Sequence, residues 1–327
     1  MRGSPAAAPD PRRVLTAAGV NVPVDAAAFC AVWQWRTKDR AGGAVKGSRA
    51  ARARIMSLSQ KLSRLGRIPT RCRNDARLVW MLENWREALA AEWGRAPLKR
   101  VKLRNGVELE GPDAVRLDFL FHETWVRGLY SPPGYEVGPG DVVIDIGANI
   151  GVFALYAATR APGVRVLAYE PFPGNVKWLR HNAERSGLSN VEVREQAVAG
   201  RTGRRVLRVS DDWIMHSLSG GGATGGGELP VECVSFDDVV RGEGVARCDL
   251  LKIDCEGSEY EILQGCAPET LARVRRIVGE YHEGPGIGGT GEGLRRFLEA
   301  RSFRVDRFED LDVGNGVLCA TNTSFSG

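Results

Sequence analysis

From Asp141 onward, short runs of β-branched and apolar residues alternate with stretches in which apolar positions recur every three or four residues. That is the pattern of a mostly parallel sheet covered on both faces by helices. The runs VVIDI, VRVLAYE, VEVREQA, DLLKID and RRIVGEY predict five strands, followed by a helix around Leu294–Ala300. FRVDRF and GVLCATN, separated by DLDVGNG, then predict a terminal antiparallel pair. Upstream, VKLRNGVEL holds Asn105-Gly106 between alternating segments, the signal for a tight hairpin that would join the N-terminal part to the core. Between Asp25 and Trp93 the period is helical. Ile55, Leu58, Leu62 and Leu65 form one stripe, and Leu78, Leu82, Trp85, Leu89 and Trp93 another. The fold class is therefore α/β, a doubly wound Rossmann-like sheet behind an N-terminal helical cap. The expected boundaries are a tether over 1–24, a basic helical cap over 25–97, and the main domain with its hairpin over 98–327.

Composition agrees with a packed α/β chain: of 327 residues, 43% are hydrophobic and 26% charged. No apolar run approaches the ~18 residues that cross a bilayer, and MRGSPAAAPDPRR lacks a signal peptide's apolar stretch, so a cytoplasmic protein without membrane insertion is expected. The seven cysteines are scattered without a CxxC pair, which indicates neither a disulfide framework nor a zinc site. Net charge is +5, but Lys46–Arg73 carries nine basic residues and no acid. Such a face could attract an anionic partner, or simply be solvated while its apolar stripe packs. A homo-oligomer formed through this cap stays open.

The chemistry begins at VVIDIGANIGVFALYAA, which places Asp145, Gly147, Asn149 and Gly151 between the first strand and the next helix. Gly147 permits a sharp turn, Gly151 a close approach, and the helix start offers N–H donors. Asp145 could take a ligand's ammonium. A dinucleotide site would have GxGxxG, yet Asn149 and Val152 stand where its second and third glycines belong, so the loop suits a ligand without pyrophosphate. The second strand ends in Glu170-Pro171, and a carboxylate there can accept both hydroxyls of a ribose.

These segments, with YEPFPGN, HNAERSGLSNVEV, LLKIDCEGSEYEIL and VGEYHE, closely resemble the FkbM family of methyltransferases from about Val101 to Phe308. The resemblance implies a class I methyltransferase fold, S-adenosylmethionine as cofactor, and O-methylation of a sugar, polyketide or other secondary metabolite. It implies that Asp145, Gly147, Asn149 and Gly151 line the methionine portion, that Glu170 holds the ribose, that Asn175 and Asn182 lie on the helix beyond, and that Gln196 and Ala197 edge the adenine. The long basic cap and the glycine-dense SLSGGGATGGGELP depart from the family's usual pattern and leave the acceptor's identity open.

Methyl transfer needs an aligned and deprotonated acceptor in a site closed to water. KIDCEGSE supplies Lys252, Asp254, Glu256 and Glu259, and GEYHE supplies Glu280, His282 and Glu283. The leading arrangement has His282 as general base, oriented by Glu280 or Asp254. His216, carried on a glycine-rich lid, is a second base candidate. Alternatively, Asp254, Glu280 and His282 could hold a magnesium-like divalent cation. The expected partner is a small-molecule acceptor, phosphate- or nucleotide-bearing forms included, with carboxyl or amine methylation as the nearest alternative. A nucleic-acid enzyme that methylates an amine would carry an Asp/Asn-Pro-Pro-aromatic motif where this chain has IDCEG, which disfavours nucleic acid as partner. A cofactor-binding protein without a reaction is the third reading.

Overall fold

The computed structural model describes residues 71–210, 216–218, 225–284, 286–312 and 314–325. The tether, the Ile55–Leu65 stripe and the tip of the glycine-rich segment lie outside them. The chain divides into two compact units, 1–96 and 97–327. In the first, a helix runs across 71–81 (α1) and a second spans Trp85–Glu92 (α2). Leu78, Leu82 and Leu89 of the expected stripe are buried, while Trp85 and Trp93 are half-buried.

The second unit opens with a hairpin, β1 (Arg100–Lys102) and β2 (Glu108–Glu110), paired antiparallel. At its tip Gly106 takes φ 90°, and the Asn105 side chain accepts from Val107 N–H. Helix α3 (Leu117–Phe121) runs directly into a π-helical turn over His122–Arg127. Then come β3 (Val142–Ile146), α4 (Val152–Ala158), β4 (Arg165–Tyr169), α5 (Pro173–Arg185) and β5 (Val191–Arg194). Strands β6 (Ala197–Ala199), β7 (Gly203–Ser210) and β8 (Gly225–Ser235) follow, then α6 (Phe236–Gly242) and β9 (Leu250–Ile253). The chain ends with α7 (Glu259–Gly265), α8 (Pro268–Ala272), β10 (Arg276–His282), α9 (Gly291–Glu299), β11 (Phe303–Asp312) and β12 (Asn315–Asn322).

Seven strands form the main sheet in the order β11-β12-β10-β9-β3-β4-β5. β10, β9, β3, β4 and β5 run parallel, and β12 inserts antiparallel between β10 and β11. This is the class I methyltransferase arrangement, with the predicted terminal pair at one edge. The strands read as unbroken apolar runs because both faces are covered: all four residues of β9 and four of five in β3 and β4 are buried. One predicted strand is divided. VEVREQA becomes β5 and, after a break at Glu195-Gln196, β6, which belongs to a separate three-stranded sheet ordered β6-β8-β7.

Strand order reverses between β3 and β9, and ligands of open α/β sheets bind at the crevice beyond such a switch point. There the two strand ends press together. A Cβ on Gly147 would lie 1.8 Å from the Asp254 carbonyl oxygen, and Gly147 has φ 77°. The absent side chain lets β3 and β9 turn outward side by side.

Candidate active site

Beyond the carboxyl ends of β3, β4, β9 and β10 lies a cleft with about 1160 Å³ of empty space, part of it open to solvent. Its cofactor-like half is built from the first two strand ends. Asn149 holds φ 51°, which turns its N–H toward Glu170 Oε2 at 2.9 Å, and its own side chain accepts from Ile150 N–H at 2.7 Å. Glu170 Oε1 also accepts from Phe172 N–H at 3.0 Å and Asn175 Nδ2 at 3.3 Å. Burial pushes this carboxyl up to about 7, against the pull of those three donors. Gly147, Ala148, Asn149, Glu170, Asn175 and Ala197 all line the cleft.

The other half is a charged network. Lys252, at the middle of β9 and buried, places Nζ 3.2 Å from Asp145 Oδ1, 3.7 Å from Asp254 Oδ2 and 2.8 Å from the Gly147 carbonyl. Burial opposes its charge, but Asp145 and Asp254 keep its pKa above the usual lysine value. The Tyr130 hydroxyl lies 2.9 Å from Asp254 Oδ2 and 2.8 Å from Glu280 Oε1. One hydroxyl proton cannot serve two ionised carboxylates, so the trio favours an additional shared proton. Burial first, then the Asp254 charge, push Glu280 up to about 7. Burial and the same two carboxylates raise Tyr130 far above its usual value, so it stays protonated.

Behind this network, buried Glu259 fastens the turn after β9. Its Oε1 accepts from Cys255 N–H at 3.1 Å and Gly257 N–H at 3.2 Å, and it meets His282 Nδ1 at 3.0 Å. The turn needs this, because Glu256 and Gly257 hold φ 55° and 104°. His282 Nε2 lies 3.6 Å from Glu256. Burial disfavours a charged His282, but Glu259, Glu256 and Asp254 push it up to about 10. Burial raises Glu256 to about 8.

A family model for the methyltransferase FkbM domain matches residues 145–305. The chain is 32% identical over 228 residues to 31-O-demethyl-FK506 methyltransferase FkbM of Streptomyces tacrolimicus, a match covering 61% of this chain and 87% of that protein. It belongs to the FkbM family of S-adenosylmethionine-dependent methyltransferases. Similarity extends to hexuronic acid methyltransferase AglP of Haloferax volcanii, 27% identical over 55% of this chain and 72% of that protein. It also extends to 2-O-methyltransferase NoeI of Sinorhizobium fredii, 26% identical over 44% of this chain and 65% of that protein.

In this FkbM-family methyltransferase several expected site residues stand elsewhere than at a ligand. Asp145 is 0% exposed and is not among the residues lining the cleft, so it underlies Lys252 rather than meeting an ammonium. Gly151 faces α5, where a Cβ would lie 2.3 Å from Leu179. Asn182 is buried against the hairpin, accepting from Glu110 N–H and donating to the Glu110 and Ile150 carbonyls. Gln196 is outside the lining, which Ala197 and Val198 supply instead. His282 is protonated at neutral pH and held by Glu259, which ill suits a base. His216 lines the cleft, but its Nδ1 lone pair accepts from Ser210 N–H at 3.1 Å and its ring lies 4.2 Å from that of Phe172. That places the neutral proton on Nε2 and leaves no lone pair for a base. Tyr130, 124 positions before Asp254, carried no local signal in the sequence.

The donor set fits S-adenosylmethionine. Glu170 with its flanking N–H groups suits a ribose, Ala197 and Val198 would offer an adenine an apolar wall, and the lining carboxylates suit a ligand bearing a sulfonium. A divalent cation fits less well. Ligand atoms of Asp254, Glu280 and His282 do lie within 4.8 Å of one another. However, the Lys252 ammonium and Tyr130 hydroxyl already engage the two carboxylates, and Glu259 engages the imidazole.

Proposed function

We propose that this methyltransferase acts on a hydroxyl of a small molecule, with Glu280 as the general base. The observation that carries the reading is the Tyr130 hydroxyl set between Asp254 and Glu280 inside the same cleft as Glu170. When bound, S-adenosylmethionine supplies an electrophilic methyl on a sulfonium. Glu170, Asn149 and Asn175 orient the ribose, and Ala197 and Val198 pack on the base. Lys252 lies beside Asp254, and the Tyr130 hydroxyl, which keeps its proton, donates to Glu280 once that carboxyl is ionised and so orients it. Glu280 accepts the acceptor's hydroxyl proton as that oxygen forms its new bond to carbon. A carboxyl of pKa about 7 is matched to that task near neutrality. The relatives whose names specify O-methylation, FkbM and NoeI, support a hydroxyl as target.

The test pairs two variants. Glu170→Ala should lose S-adenosylmethionine binding in calorimetry. Glu280→Gln should bind it normally and lose methyl transfer to whichever acceptor the wild type methylates. Normal turnover by Glu280→Gln would overturn the base assignment. Turnover abolished by EDTA and restored by magnesium would do so too, by making Asp254, Glu280 and His282 metal ligands.

A further inference from the structure

Ser217 has no role so far. It lies between β7 and β8, is 0% exposed, and stands between His216 and Leu218, both of which line the cleft. Three ties fix the segment there. The Ser217 N–H donates to the Arg208 carbonyl at 3.1 Å, and its carbonyl accepts from Arg208 N–H at 2.9 Å. The Ser210 N–H donates to His216 Nδ1. Arg205, itself paired with Glu261 of α7, donates to the Leu218 carbonyl at 3.5 Å. So held, the Ser217 hydroxyl reaches across to the turn after β9 and donates to the Glu256 carbonyl at 2.5 Å.

That carbonyl belongs to the same peptide group as the Gly257 N–H, which donates to Glu259 Oε1 at 3.2 Å. Ser217 and Glu259 therefore grip one peptide at its opposite ends. The grip matters because the peptide joins two residues of positive φ, 55° at Glu256 and 104° at Gly257. A residue other than glycine stays in that region only where its surroundings hold it. Without a donor on its carbonyl the peptide is free to rotate, Glu256 relaxes, and its side chain leaves its present place. At present the Glu256 carboxyl lines the cleft and lies 3.6 Å from His282 Nε2.

In that place Glu256 occupies the open side of a cation. Glu259 holds His282 Nδ1 at 3.0 Å, which leaves Nε2 to a second acid. Ligand atoms of Asp254, Glu280 and His282 lie within 4.8 Å of one another, so two further acids are in reach of the imidazolium. Asp254 already has Lys252 and the Tyr130 hydroxyl beside it, whereas Glu280 has the Tyr130 hydroxyl and no cation at ion-pair distance among the described residues. A carboxylate that gains an imidazolium partner becomes a weaker base.

Resting on the reading of Glu280 as base, we propose that Ser217 is a positioning residue for it: by gripping the Glu256 carbonyl, Ser217 keeps the Glu256 carboxyl against His282 Nε2 and so keeps that cation from pairing with Glu280. A residue held on β7, away from the reacting atoms, thereby sets the strength of the base.

The experiment follows the Glu280 carboxyl by carbon NMR in the full chain labelled at glutamate Cδ, with EDTA present, its signal being the one absent from Glu280→Gln. In the wild type it should titrate near 7. Ser217→Ala should lower that midpoint by about one unit, a tenfold change in acidity, and Glu256→Ala should lower it as far. The double variant should fall no further, since both changes act through one carboxyl. Ser217→Cys, which keeps the size and donates weakly, should move the midpoint the same way by less, and reads the contact even where the alanine variant folds poorly. S-adenosylhomocysteine affinity, by calorimetry, should stay within about threefold in Ser217→Ala, which separates a local change from a general loosening of the cleft. An unmoved midpoint in the serine variants, or shifts that add in the double variant, would overturn the proposal. A midpoint that falls in Ser217→Ala while the kcat/KM limb of the same variant keeps its wild-type midpoint would instead uphold the positioning and defeat Glu280 as base.

Discussion

Replacing Gly147 with alanine should damage this protein far more than the same change at another glycine of the same backbone class. Two terms contribute. A non-glycine residue held in left-handed backbone costs about 1–2 kcal/mol. Gly147 at φ 77° and Gly106 at φ 90° both incur that term. Gly106 incurs nothing else, since a Cβ there meets no atom within 4 Å. At Gly147 the Cβ would sit 1.8 Å from the Asp254 carbonyl oxygen and 2.8 Å from its carbon, neither of which can rotate away. Relief requires β3 and β9 to move apart at their ends, a displacement of the overpacking kind that costs about 1–3 kcal/mol or more. Gly147→Ala should therefore cost about 2–5 kcal/mol, and Gly106→Ala about 1–2 kcal/mol. For a unit of this size a kilocalorie lowers Tm by about 2–4 °C, so thermal melts followed by circular dichroism resolve the difference. Asp254 moves with its backbone, so Gly147→Ala should also reduce methyl transfer while Gly106→Ala leaves it intact. Equal destabilisation by the two variants would refute the close approach of the strand ends.

Other outcomes follow from the same network. The kcat/KM of methyl transfer should rise with pH and level off, with a midpoint near 7, because Glu280 must lose its proton to act as base; Glu280→Gln should abolish that limb. His282→Gln should destabilise the protein by about 3–5 kcal/mol near neutrality, measured by denaturant titration, because it leaves Glu259 buried without its cation. His282 has its folded pKa raised to about 10, so its stabilisation is complete below the unfolded value of 6.5 and is lost as pH rises through 10. The Tm gap between wild type and His282→Gln should therefore shrink across that interval. Asp145→Asn should lower turnover by loosening Lys252 while leaving S-adenosylmethionine affinity within about threefold, since Asp145 touches no part of the cleft.

Most of the sheet was legible because its strands are buried on both faces and so stand out as short apolar runs between polar turns. The division of VEVREQA was not legible. Val191 and Val193 alternate as a strand should, and nothing local shows that Glu195-Gln196 breaks the run and sends Ala197–Ala199 into a second sheet. Strand β7 was missed because half of GRRVLRVS is exposed and its arginines interrupt the apolar positions. At the site, Asn149, Glu170 and Asn175 could be grouped from the sequence because they lie within one βαβ stretch and converge by local geometry. The roles of Asp145, His282 and Gly151 depend on what lies across the sheet from them. Each takes its neighbour from a distant element, Lys252, Glu259 and Leu179 respectively. Such pairings leave no periodic trace.

Those distant pairings also explain why a carboxylate and not the histidine is suited to act as base. Two buried cations, Lys252 and His282, face a larger set of acids, and each cation is claimed by the acid nearest to it. Asp145 and Asp254 share Lys252, while Glu259 and Glu256 share His282. Among the described residues Glu280 is left with only the Tyr130 hydroxyl as a hydrogen-bond partner, in a cleft lined by further acids. A carboxyl so placed holds its proton to higher pH than its neighbours' ion pairs would allow, which makes it a stronger base than an ordinary glutamate. Removing either cation should shift that balance further. Lys252→Met, which keeps length and removes charge, should raise the midpoint of the kcat/KM profile above 7 rather than abolish it, and adding Glu280→Gln to that variant should remove the limb altogether.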